Sequence, residues 1–316
     1  MSKVQPSIVV MAAGGIGGLV AARLLAADAA RVAVVARGEH LAAIQAEGIA
    51  LRSALGDCRA RPTVAQADPT EVAKRFGPAD FVFFVVKGYD TETAAVAMAP
   101  LVSSNTLVVS FQNGVEGLDL LAARYGRERV WPGVCYVPAV IEQPGVIRHT
   151  GRHNRFVFGP WDGGPDPRAQ ALSVALTAAG LEPVASGQAL AEAWHKFVMQ
   201  TSFSSLCCLT RLPVGGWIGC RDTRDLYRRG MEEIVAIARA RGVAVADDIV
   251  ERNMDFAVTR ADRGTRASML EDLERGRPIE LASLAGHAHR LGRELGVPTP
   301  VNSFFWQTLQ PHLKAR

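Results

Sequence analysis

Residues 9–20 read VVMAAGGIGGLV. Ser7 to Met11, following Pro6, is apolar and β-branched and predicts a strand. The glycines predict a turn, and Leu19 to Ala27, with Arg23 inside it, predicts a helix. The run also imitates an export signal, with Lys3 ahead of it and Ala26-Ala27-Asp28-Ala29 behind, but the strand–turn–helix pattern argues against that. No apolar run reaches the roughly 18 residues of a membrane span. What is left is a strand turning into a helix around a ligand phosphate. The spacing Ala12-x-Gly14-x-x-Gly17 suits a dinucleotide: Gly14 admits the pyrophosphate, Gly17 lets the helix lie close to the strand, and the helix N-terminus attracts the anion. Gly14, Gly15, Ile16 and Gly17 are therefore candidate cofactor-binding residues. Ala12 stands where the first glycine is usual, which predicts a negative φ there. A tight turn with no ligand is the competing reading.

Composition supports a globular chain of two domains. The 316 residues are 48% hydrophobic and 21% charged, enough to bury a large core. Net charge is +4, from 35 basic and 31 acidic residues, with no block of like charge, so neither a nucleic-acid nor a membrane partner is expected. Five cysteines, without a C-x-x-C pair, point to a reducing cytosol rather than a disulfide framework or a zinc site. His149 and His153 lack a carboxylate or cysteine partner nearby, so no metal is expected.

The second strand, predicted at Val32 to Ala36, ends in Arg37 rather than the acidic residue that would take a ribose 2′-hydroxyl. A guanidinium there can hold a 2′-phosphate, which favours NADP over NAD; a solvated loop arginine is the alternative. Phe81 to Val86 and Leu107 to Val109 are continuous apolar runs of the kind a doubly covered parallel sheet requires. Ligands bind at the carboxyl ends of such strands. Lys87 and Asn113 sit at two of those ends, where they can serve cofactor phosphates, nicotinamide or a substrate oxygen, or merely cap their own helices. Short β-like stretches from 127 to 160 predict strands and hairpins that finish the sheet. A helix at about Arg168 to Ala179 and a strand near Pro183 to Ser186 bring the first domain, residues 1–186, to its end.

Residues 187–316 predict an all-α domain. QALAEAWHKFVMQTSFSSLCCLT reads as a helix buried in protein, and no charge falls between Lys196 and Arg211. Lys196, at the head of that neutral stretch, is a candidate proton donor unless its stem carries the charge to solvent. Further on, a helix from about Ala267 stops at Gly276, and Pro278 predicts a new helix with Glu280 in its first turn. Ser268 lies near the earlier helix start. His287 and His289, two apart on a helix, are expected at the surface. The aromatic SFFWQTL leaves a homodimer open.

The segments VKGYDTE, FQNGVEGL, PGVIRHTG, WHK and SMLEDLERGRPIE resemble the ketopantoate reductase (2-dehydropantoate 2-reductase) family, nearly end to end. The resemblance implies a Rossmann-type doubly wound α/β domain, a helical C-terminal domain, and NADPH-dependent reduction of ketopantoate to (R)-pantoate in pantothenate biosynthesis. It implies Lys196 as general acid, Glu280 in contact with cofactor and substrate, and Asn113 and Ser268 on the substrate. Arg37, Lys87 and Ala139 would line the NADPH site. The family commonly has Asn four and eight residues after the catalytic lysine. Here the corresponding substrate-side residues are Gln200 and Ser204, and after Glu280 the usual Ile-Asp is Leu281-Ala282. A site built for one pattern of oxygens rejects another. Reduction of a different 2-oxo acid or an imine is therefore one alternative, and a non-catalytic NADP sensor is another.

Overall fold

Ser7–Met11 form strand β1, which passes through the glycine turn into helix α1 (Gly15–Ala26) and on to β2 (Arg31–Val35). The structure is a computed structural model in which residues 5–313 are described. The chain continues through α2 (Gly38–Glu47), β3 (Ile49–Ser53), β4 (Cys58–Ala60), β5 (Val64–Gln66), α3 (Pro69–Phe76) and β6 (Phe81–Phe84). Then come α4 (Thr91–Ala97), β7 (Leu107–Ser110), α5 (Glu116–Tyr125), β8 (Val130–Tyr136), β9 (Ala139–Gln143), β10 (Val146–His149), β11 (Arg155–Phe158), α6 (Pro167–Ala178) and β12 (Glu182–Ala185).

Eight of these strands make one sheet in the order β12-β11-β8-β7-β6-β1-β2-β5. From β5 to β8 the strands are parallel, and β11 is antiparallel to β8. The chain winds outward from β1 through β2 to β5, then returns to β1's other side with β6. The order reverses there, and dinucleotides bind at the carboxyl ends of strands at such a reversal. Strand periodicity divides the apolar runs between two cores. Ile8, Val10, Val32, Val34, Phe81 and Phe83 face α1 and α6. Val9, Met11, Ala33, Val82 and Phe84 face Val72 and Phe76 of α3, Ala94 of α4 and Leu121 of α5. Both faces are covered, so the strands read as unbroken hydrophobic runs.

The segment 127–160 departs from expectation. Only β8 and β11 of this region extend the main sheet. β9 and β10 pair with β3 and β4 in a separate four-stranded sheet, ordered β4-β3-β10-β9. Its Ile49, Leu51 and Ile147 pack in the same core as Leu19 and Val20, so α1 is buried between two sheets. This packing needs small residues on α1, since a Cβ added at Gly18 would lie 2.7 Å from the Ile147 side chain.

A compact first unit holds the residues up to Val86, Asp90–Gln112 and Leu118–Ala189; a second holds Lys87–Tyr89, Asn113–Gly117 and Leu190 onward. A single cut at 187 thus leaves two short loops of the second unit on the wrong side. They join it through side-chain contacts made far along the chain. The second unit is helical: α7 (Ala189–Thr210), α8 (Val214–Trp217), α9 (Arg221–Ala240), α10 (Ile249–Asp255), α11 (Ser268–Glu274), α12 (Ala285–Leu295) and α13 (Pro300–Leu309). Its core contains Phe197, Trp217, Tyr227, Met231 and Phe305. Trp217 and Tyr227 meet edge to face at 5.2 Å. The aromatic tail segment is divided, with Phe305 buried and Phe304 47% exposed, so it offers a dimer less surface than its composition suggests. No helix among the described residues is long and apolar enough to cross a membrane.

The glycine turn gives a direct test of this packing. A Cβ at Gly15 would lie 2.1 Å from the Ala139 carbonyl oxygen, whereas Gly14, at φ −71°, has nothing within 4 Å. Denaturation of the nucleotide-free protein is expected to show a loss of about 1–3 kcal/mol for Gly15→Ala. Gly14→Ala is expected to stay within about 0.5 kcal/mol of wild type. Equal losses at the two positions would contradict the packing of the turn on β9.

Candidate active site

Glu280 is the centre of the second unit's polar network, and its side chain is almost wholly enclosed, at 4% exposure. It does not open a helix as its neighbour Pro278 predicts. Residues 280–284 form a turn, and α12 starts only at Ala285. The turn is held by the Ser283 hydroxyl donating to the Glu280 carbonyl at 3.1 Å. The carboxylate's partners come from elsewhere in the sequence. The Gly88 amide donates to Oε1 at 3.0 Å, and Lys87 Nζ donates to Oε2 at 3.2 Å. Asn113 Nδ2 approaches the same Oε2 at 3.5 Å.

Lys87 is shared between two carboxylates, since its Nζ also donates to Asp272 Oδ2 at 2.9 Å. Burial pulls its acidity toward the neutral amine, but Glu280 and Asp272 outweigh that and hold the ammonium above the ordinary lysine range. Lys87 therefore remains charged throughout the physiological range. Asp272 carries no signal of its own in the sequence beyond lying four residues after Ser268 on α11, which places the two on one face of that helix.

Lys196 stands on α7, and its Nζ donates to Asn113 Oδ1 at 3.0 Å. The order across the network is thus Lys196, Asn113, Glu280, Lys87, Asp272. A lysine ammonium only donates and a carboxylate only accepts, so the Asn113 amide is oriented by both neighbours at once. Of the other expected substrate residues, Gln200 lies one turn along α7 from Lys196, and its Oε1 is buried without a hydrogen-bond partner among the described residues. Ser204 is buried a further turn on, and Ser268 is exposed as the first residue of α11. His287 is not at the surface: it is 7% exposed, with Nδ1 3.6 Å from Glu116 Oε1. Arg290 NH2 donates to the same Glu116 oxygen at 2.5 Å and to the Ala282 carbonyl at 3.0 Å. It thereby ties the start of α5, just beyond Asn113, to the turn that carries Glu280.

Of the expected dinucleotide residues, the first unit holds Gly14, Gly15, Ile16, Gly17, Arg37 and Ala139, whereas Lys87, Asn113 and Glu280 belong to the second. The N-terminus of α1 at Gly15, Ile16 and Gly17 has no side-chain cap, and open space lies beside Gly14. Helix N-terminal amides without a side-chain cap suit a pyrophosphate. Ala139 backs the turn through its carbonyl, which leaves no room for a Cβ at Gly15. Arg37 is exposed in extended conformation between β2 and α2, and among the described residues its guanidinium has no partner. That position fits a 2′-phosphate. Ala12 departs from the expected negative φ: it sits at φ +79°, a conformation that costs an alanine about 1–2 kcal/mol.

Comparison with known proteins shows the family. Residues 8–163 match the family described as ketopantoate reductase PanE/ApbA, and residues 188–312 match its C-terminal family. A 2-dehydropantoate 2-reductase of Mesorhizobium japonicum is 34% identical over 93% of both chains. The crystal structure of a PanE/ApbA family ketopantoate reductase from Ralstonia eutropha is 32% identical, with a TM-score of 0.86 over 97% of this chain and 98% of that one. That of 2-dehydropantoate 2-reductase from Methylococcus capsulatus is 27% identical, also at 0.86, over 96% of each. The chain therefore belongs to the ketopantoate reductase family of dinucleotide-binding oxidoreductases.

Proposed function

We propose that the chain reduces 2-dehydropantoate to (R)-pantoate with NADPH, in the cytoplasm and as a step of pantothenate biosynthesis. The observation that carries the reading is the Lys196 ammonium held on Asn113 Oδ1 at 3.0 Å, in a network anchored by buried Glu280. Family relatives bearing the name 2-dehydropantoate 2-reductase supply the substrate. Arg37, unpartnered among the described residues at the end of β2, supports NADPH over NADH.

When bound, the nicotinamide supplies the hydride to the ketone carbon. The chain's own residues do the rest. As the carbonyl oxygen becomes an alkoxide, the Lys196 ammonium neutralises its charge and donates the proton. Asn113 orients that ammonium, and Glu280 orients Asn113. Lys87 neutralises Glu280, so the buried carboxylate does not draw Lys196 away from the reacting oxygen. The amides of Gly15, Ile16 and Gly17 bind the pyrophosphate, and Ser268 and Gln200 contact the acid. The Gln200 Oε1, buried and unpartnered where the family commonly has asparagine, also favours a second reading in which a different 2-oxo acid is the better substrate.

Lys196→Ala is expected to lower kcat by ~10²–10⁴ while leaving NADPH affinity nearly intact, and Lys196→Arg should not restore the rate. An alanine variant with near wild-type kcat, when chemistry limits the rate, would remove Lys196 from the mechanism. Arg37→Ala is expected to weaken NADPH by ~1.5–3 kcal/mol and to leave NADH almost unchanged. Titration of both nucleotides by fluorescence distinguishes this from an equal loss, which would return Arg37 to the role of a solvated loop residue.

A further inference from the structure

Ala12 adopts φ +79° at the turn between β1 and α1, in a conformation an alanine rarely keeps unless its surroundings enforce it. The enforcement is visible one residue on. The Ala13 amide donates to the Val35 carbonyl at 2.8 Å, which ties the turn to the end of β2. On its other side the Ala13 carbonyl lies 2.8 Å from Nε2 of His40, on α2. The His40 Nδ1 in turn lies 3.0 Å from the Gly145 amide, in the β9–β10 hairpin. An amide N–H can only donate, so Nδ1 must offer its lone pair and Nε2 must carry the hydrogen that reaches Ala13. Gly145 is itself fixed at φ +74°, with its carbonyl accepting from the Ala50 amide of β3 at 2.9 Å. The imidazole thus spans from the small sheet to the strained turn.

We infer that His40 is a positioning residue: a strut that holds the Ala12 turn in the shape that receives the dinucleotide phosphates. The inference rests on the reading that this turn binds NADPH. With glycine in the first position, φ +79° would be nearly free and no strut would be required. With alanine, loss of the strut lets the turn relax to negative φ, and only the fraction of molecules still in the left-handed form can bind.

The test is a cycle of four proteins: wild type, Ala12→Gly, His40→Ala and the double variant. Each is titrated with NADPH by fluorescence and melted without nucleotide. His40→Ala is expected to weaken NADPH by about 5–30-fold when Ala12 is present, the factor that the left-handed cost of an alanine corresponds to. In the Ala12→Gly background the same change should cost less than about threefold. Melting should show the reverse dependence. Ala12→Gly relieves strain only where the strut maintains it, so it should raise the midpoint by about 2–4 °C with His40 present and by no more than about 1 °C without it. An equal affinity loss in both backgrounds, or an equal rise in midpoint in both, would overturn the strut. If the wild type binds no nicotinamide dinucleotide, the cofactor reading fails, and the melting pair still decides the role of His40.

Discussion

A carboxylate taken out of water must be neutralised and hydrogen-bonded, or it will not stay ionised. At Glu280 this requirement gathers the site. The Gly88 amide satisfies one oxygen, and Lys87 and Asn113 approach the other. Lys87 brings Asp272 with it, and Asn113 brings Lys196. Residues scattered from position 87 to 280 thereby become one unit in which the placement of each depends on the others. Two ammonium groups and two carboxylates leave the set close to neutral, so an anionic substrate is not repelled as a carboxylate pair alone would repel it.

The glycine turn works on a different principle. No charge organises it within the first unit; close approach of backbone does. Glycines at 15, 17 and 18 let α1 lie against Ala139, the Ala12 carbonyl and Ile147, where any Cβ would come within 3 Å. Gly14 is the exception. The space beside it is open, so a Cβ there would meet nothing within 4 Å.

Local chemistry was legible in the sequence. The apolar runs of β1, β2, β6 and β7 announced a sheet covered on both faces, and the neutral stretch after Lys196 announced a buried helix. What escaped were features fixed by distant contacts. Nothing near Asp272 marks it as a partner of Lys87, because the two are brought together only by folding. Pro278 promised a helix start, but buried Glu280 needs its backbone in a turn to reach Gly88 and Lys87. His287 was expected at the surface from its spacing to His289, yet Phe197 and Glu116 cover it. The second sheet is not legible in the sequence, because β3 and β10 pair across almost a hundred residues. Ala12 is a different case: propensity disfavours the left-handed conformation that its tertiary surroundings impose.

The proposed reaction moves a hydride from a nicotinamide to the ketone carbon of the substrate. Isotopic transfer tests it most directly. The protein is incubated with 2-dehydropantoate and NADPH deuterated on one face of C4, then on the other, and the product is weighed by mass spectrometry. The expected result is pantoate carrying deuterium at C2 from one of the two labelled cofactors and none from the other. Bound NADPH that is not consumed, with 2-dehydropantoate recovered unchanged, would contradict the claim.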